Sequence, residues 1–224
     1  MLLYEYIKNR IEKYAKREVN KMKVNITNNI PNVNVTVNQN DDGSLAILLF
    51  EKTGKKLGDV KTGETVKLGE REYIVLGHGA ETTAVITKDI VKNMEFGKTG
   101  DYSKSYVREF CNGDFYKELA KAVGKSNIVP HRVNLTCDDG SNKGATCKDN
   151  VSIITAENYR RYREYLPALG KPSWTTTGVT TLDKDYARMV CYVNSYGVLG
   201  WGVCVYTIGV RPFCILNSSI KVML

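Results

Sequence analysis

The residues able to do covalent or acid–base chemistry are few and poorly spaced. His78 lies in LGHGAE and His131 in VPHRV, and neither has an acid and a Ser or Cys beside it at the spacing of a nucleophile, base and orienting group. Asp183 and Asp185, in TLDKDY, come nearest to a carboxylate pair, but DKD there reads as a solvated turn. The six cysteines are Cys111, Cys137, Cys147, Cys191, Cys204 and Cys214; no CxxC occurs, and with two distant histidines a zinc site is not expected. They read mainly as reduced, buried small hydrophobes, with a Cys137–Cys147 bridge as the alternative for that pair. GHGAET lacks the Lys-Ser/Thr ending of a phosphate loop. On these grounds the chain is expected not to be an enzyme and to need no cofactor.

The chemistry of contact is better represented. MVCYVNSYGVLGWGVCVYTIGV, Met189 to Val210, has no charged residue in a chain that is 25% charged. Its length would cross a membrane. Glycines at 197, 200, 202 and 209, with Asn194, Ser195 and Thr207, instead predict short strands between turns, so no membrane span is expected. At period two, Val190, Tyr192 and Asn194 share one face, and Cys191 and Val193 the other. Val203 and Val205 likewise oppose Cys204 and Tyr206. The cysteines are the better candidates for burial. That leaves Tyr192, Tyr196, Trp201 and Tyr206 near the surface or at loop tips. Tyr and Trp give large contact area with few rotatable bonds, and Ser, Asn and Gly add adaptable hydrogen bonding, which is the palette of binding loops.

The elements that must position this stretch follow from periodicity and punctuation. A chain of 224 residues holds one large domain, or one domain with a smaller module. Residues 1–23 carry seven Lys/Arg against three Glu, and Tyr4, Ile7, Ile11 and Tyr14 recur at helical spacing. This start reads as an amphipathic helix and not as a signal peptide, so cytoplasmic synthesis is expected. The net charge of +8 brings nucleic acid to mind, but no aromatic-and-basic motif of an RNA- or DNA-binding module is present. Residues 24–64 form a small β-rich module, with Val33, Val35 and Val37 alternating with polar residues. In the main domain, residues 65–224, Ser105 caps a helix over VREFCN and Asp114 one over FYKELAKAV, which Gly124 ends; Thr155 caps AENYRRYREYL. From Ser173 onward only strands and turns are expected. The class is α+β. Arg211, between an uncharged run and Pro212, is expected to hold the closing strand by hydrogen bonds to backbone carbonyls or a carboxylate.

Three stretches then carry a resemblance: SYVREFCNGDFYKELAKAVGKSNIV, NVSIITAENYRRYREYLPAL and the closing GVRPFCILNSS. In this order they resemble a bacterial and phage family of uncharacterised domains with a "dLRxWLNgeFy" helix, a "kVxLLTaeeYrxYr" strand–helix step and a "GVRPxxxLn" strand. The match runs from about Thr65 to Ser219. The resemblance implies a C-type-lectin-like (sulfatase-modifying-factor-like) domain, the fold also used by the variable proteins of diversity-generating retroelements. There a fixed scaffold displays a changing patch of C-terminal side chains. It implies a protein or cell-surface ligand bound through Ser173, Val179, Thr181, Tyr192, Asn194, Tyr196, Leu199, Trp201, Val203, Tyr206 and Ile208, with Trp174 and Arg211 structural. It also implies a phage or prophage setting with virion association, and residues 1–64 as the part that orients or oligomerises the domain. Ser173-Trp174 stands where many relatives have two tryptophans, and Gly200-Trp201-Gly202-Val203 where relatives often have polar or charged residues. Related folds include a copper-dependent oxidase with paired cysteines; Cys191 and Cys204 could be cross-strand neighbours, but no surrounding motif of that enzyme is present. The Glu-Pro-Asn, Gln-Pro-Asp and Trp-Asn-Asp tripeptides of calcium-dependent sugar binding are also absent. The alternative function is a structural or assembly subunit of a phage particle with no diversified site.

Overall fold

The computed structural model describes residues 33–39, 44–51 and 54–223. The helix expected over residues 1–23 lies outside them. The chain divides into two units, residues 1–53 and 54–224. In the first, β1 (Val33–Gln39) and β2 (Leu45–Glu51) form an antiparallel hairpin in register from Val33–Glu51 to Gln39–Leu45. The expected boundary at 64/65 moves to 53/54, because Leu57 and Val60 are buried in the core of the larger unit.

The larger unit opens with β3 (Lys55–Lys56) and a single helical turn at Leu57–Asp59. An antiparallel run follows: β4 (Thr65–Leu68), β5 (Arg71–His78) and β6 (Thr82–Thr87). β7 (Lys92–Met94) leads to a helical segment made of α1 (Tyr106–Phe110), a π turn at Cys111–Phe115, and α2 (Tyr116–Val123). Then come β8 (Ile128–Val129), the hairpin β9 (His131–Asn134) and β10 (Thr146–Asp149), β11 (Val151–Ile153) and α3 (Ala156–Arg161). The chain closes through β12 (Ser173–Gly178), β13 (Met189–Val193), β14 (Leu199–Val203), β15 (Ile208–Val210), β16 (Pro212–Asn217) and β17 (Lys221–Val222).

Two sheets carry the unit. One runs β11-β16-β6-β5-β4, with β8 also on β16; the other runs β14-β13-β12-β15-β7. The class is α+β, with strands before and after the helices. The main core includes Val75, Val85, Phe96, Phe115, Leu119, Trp174, Val190 and Leu216. β17 pairs with β3, and Leu57 N–H donates to Ile220 O at 2.8 Å, so the two ends of the unit are stitched together. The uncharged segment folds as β13, β14 and β15 with their turns. Among the described residues no helix is long and apolar enough to cross a membrane.

Local chemistry accounts for the helix ends. Ser105 Oγ accepts from Arg108 N at 3.0 Å and Thr155 Oγ1 from Asn158 N at 2.9 Å, each satisfying a first-turn amide. Asp114 does not cap, contrary to expectation: the helix continues through the π turn, and Asp114 instead pairs with Lys117 at 3.6 Å. Asn112, within that turn, donates to Val151 O at 2.9 Å and accepts from Asn150 N at 3.0 Å, clamping the helical segment to β11. Arg108 reaches the fully buried Asp149 carboxylate, with Nε–Oδ1 at 2.8 Å.

Candidate functional site

The hairpin β13–β14 begins from a core anchor. Trp174, 1% exposed, donates its Nε1–H to Met94 O at 3.1 Å and meets Phe96 and Tyr192 edge-on, at 5.5 and 6.3 Å between ring centres. The Tyr192 ring lies against β14, where a Cβ on Gly202 would stand 3.3 Å from it, so this position is glycine by close approach. β13 is covered on both sides. Val190 joins the main core, while Cys191 packs with Ala156 and Val179, and Val193 with Tyr159 and Phe213. The expectation that one face of β13 packs inward and leaves Tyr192 at the surface is therefore corrected: Tyr192 is half-buried. Burial pushes the Cys191 thiol up to about 12.

The tip between the strands is held by its backbone. Asn194 Oδ1 accepts from Tyr196 N and Val198 N, both at 2.9 Å, Tyr159 Oη donates to Gly197 O at 2.8 Å, and Gly170 N to Ser195 O at 3.2 Å. Gly197 sits at φ +78°, with the Arg163 guanidinium 2.7 Å from where a Cβ would be. With its main chain tied down, the tip presents Tyr196 at 80% exposure and Val198 at 58%. The turn beyond β14 is fixed in the same manner. Cys204 is buried and its carbonyl accepts from Phe96 N at 2.8 Å, while Tyr206 N donates to Val203 O at 2.9 Å. Val205 and Tyr206 project outward, and Trp201, 56% exposed, stands between tip and turn. Leu199, Val203 and Asn194 are half-buried alongside.

Of the other expected contact residues, three are buried. Ser173 pairs with Val193 on one side and Gly209 on the other, at the centre of the sheet; Val179 packs on Cys191; Ile208 belongs to the main core and pairs with Met94. None of the three can offer a side chain to a ligand in this fold. Thr181 is exposed but sits on the separate 179–186 loop, its N–H on Ser141 Oγ at 3.0 Å. Val198 and Val205 were not among the expected contacts, although the same uncharged tract contains them. Leu182 and Tyr186 are also exposed and unanticipated. No family model, curated protein or solved structure matches the chain.

The remaining singled-out residues have structural surroundings. Arg211, 4% exposed, donates Nε to Thr87 O at 2.7 Å and Nη2 to Lys88 O at 3.0 Å; burial pulls its guanidinium down to about 10. His78 Nε2 donates to Val60 O at 2.8 Å, which leaves Nδ1 to accept from Thr83 Oγ1 at 3.1 Å. His131 Nε2 lies 2.9 Å from Ser152 Oγ, but Ser152 is buried and the imidazole stands edge-on to Phe213, so the pair ties β9 to β11. Asp183 Oδ1 accepts from Asp185 N at 2.8 Å within its turn. All six cysteines are free thiols, Cys137 and Cys147 included.

Proposed function

We propose that the chain is a non-enzymatic recognition protein that meets a protein or cell-surface ligand through the β13–β14 hairpin and the turn after it. The observation that carries this reading is the run of exposed Tyr196, Val198, Trp201, Val205 and Tyr206 on a backbone pinned by side chains and neighbouring loops. Soluble proteins leave such apolar side chains together where something is to be met, and aromatic anchors on a fixed main chain lose little entropy on binding. In this reading the domain is C-type-lectin-like and phage- or prophage-borne, and its variable residues are those at the tip and turn, not Ser173, Val179 or Ile208.

Two experiments test it. Immobilised protein should retain a component of bacterial envelope fractions, and Y196A/Y206A should lose it while keeping the wild-type circular dichroism; equal retention by the variant sinks the reading. The diversified form of the proposal requires, in the flanking DNA, an imperfect repeat of the codons for residues 173–217 that differs at adenines, next to a reverse-transcriptase gene. Without that repeat the surface is a fixed one.

A further inference from the structure

β14 is the outer strand of its sheet, and the phase of its ladder shows which groups it turns outward. Cys204 N donates to Arg188 O and Asn194 N to Val198 O, so Gly200 and Gly202 exchange hydrogen bonds with β13. Leu199, Trp201 and Val203 therefore direct N–H and C=O away from the sheet; Tyr206 N takes Val203 O, and among the described residues nothing takes those of Leu199 or Trp201. The outer strands β7, β4 and β11 are blunted. β7 carries the exposed Lys92, β4 is bridged at Lys67 by Met223, and β11 is buried at all three positions. β14 has no charge and, among the described residues, no cover over the outward backbone groups of Leu199 and Trp201.

We infer that this edge is where two copies of the chain meet, β14 against β14, antiparallel about a twofold axis at Trp201. Charge selects the occupant. The exposed part of Met189–Val210 carries no charge, so a second copy meets it there without placing like charges in contact. An acidic strand would instead be matched by Lys or Arg on the edge, and none is there. The sequence is also self-complementary. Leu199-Gly200-Trp201-Gly202-Val203 reads nearly alike in both directions, so a twofold sets Leu199 opposite Val203 and Gly200 opposite Gly202. Trp201 N–H of each copy donates to Trp201 C=O of the other. The union joins two five-stranded sheets into one and stands the two Trp201 side chains together on one face. This goes beyond the recognition reading: the dimer takes Trp201 out of the ligand surface proposed above, so that surface is judged on Tyr196 and Tyr206, outside β14.

The test uses the whole chain. Wild-type protein should sediment as a dimer at tens of micromolar, and W201C should form a disulfide-linked dimer under mild oxidation, whereas wild type and the control Y186C should not. W201K should weaken the dimer about thirtyfold or more, the scale of a central aromatic anchor, with its circular dichroism unchanged. V203K, which leaves Trp201 in place, repeats that measurement. A monomer throughout the concentration range overturns the inference, as does a dimer that neither cross-links at position 201 nor responds to either lysine. Either result leaves envelope binding by Tyr196 and Tyr206 to be judged separately.

Discussion

β13 and β14 are neighbours in one uncharged tract, yet their environments differ sharply. β13 lies inside its sheet, with Trp174 on one side and Ala156 and Tyr159 on the other, and Val190, Cys191 and Val193 are all buried. β14 lies at the edge, where Trp201, directly opposite the buried Cys191, remains more than half exposed. Absence of charge thus has two causes within a few residues: in β13 burial excludes charge, and in β14 a surface does without it. Neither strand carries a charge, and position in the sheet separates them.

The largest break in this comparison should come from Trp174. W174A empties a packed site and should cost about 3–5 kcal/mol in urea unfolding. G202V comes next: it drives a branched side chain into the Tyr192 ring that links the two strands and should cost about 1–3 kcal/mol. If G202V were neutral, the close approach of Tyr192 to β14 would be wrong. The Cys191 thiol, raised by burial, binds its proton more tightly when folded than its unfolded value of 9.0 allows. Its contribution is fully present below pH 9 and lost as pH rises toward 12, so stability should decline above pH 9. Below that range Cys191 should resist alkylation until the chain unfolds; rapid labelling of the native state would place it outside the core. The smallest effect belongs to Tyr196, where Y196A should change stability by no more than about 0.5 kcal/mol. Iodide quenching sharpens the contrast optically. Of the two tryptophans only Trp201 should be quenched, so W201F should emit with a blue-shifted, quencher-resistant spectrum from Trp174. A quenchable W201F would erase the distinction.

Much of what is local was legible in the sequence. Ser105, Thr155 and Gly124 mark helix ends because a cap is a contact within a few residues, and the lone Arg211 in an apolar run finds backbone carbonyls as a buried guanidinium must. What escaped was set by distant partners. Alternation in β13 predicted that the face of Val190 and Tyr192 would be wet, but Trp174 and the main core, gathered from distant parts of the chain, cover it. The resemblance put Ser173 at the ligand surface, yet β12 runs between β13 and β15, which no local pattern reveals. Asp114 resembled a cap only because the π turn that carries the helix past it depends on Asn112 meeting β11. In the site itself, Tyr196, Trp201 and Tyr206 were recoverable from residue type. Val198 and Val205 were not, because exposure of a valine depends on what fails to cover it.

The closure of the larger unit has a mechanical consequence. β3 and β17 run antiparallel, with Lys55 opposite Val222 and Lys56 opposite Lys221, so residues 54 and 223 emerge at the same end of that ladder. A load applied between those points peels the ladder open pair by pair, instead of shearing all its bonds at once. The short ladder is then a weak link in series with the two large sheets. Under tension it should yield first and at low force, lengthening the tether while the hairpin tip keeps its shape.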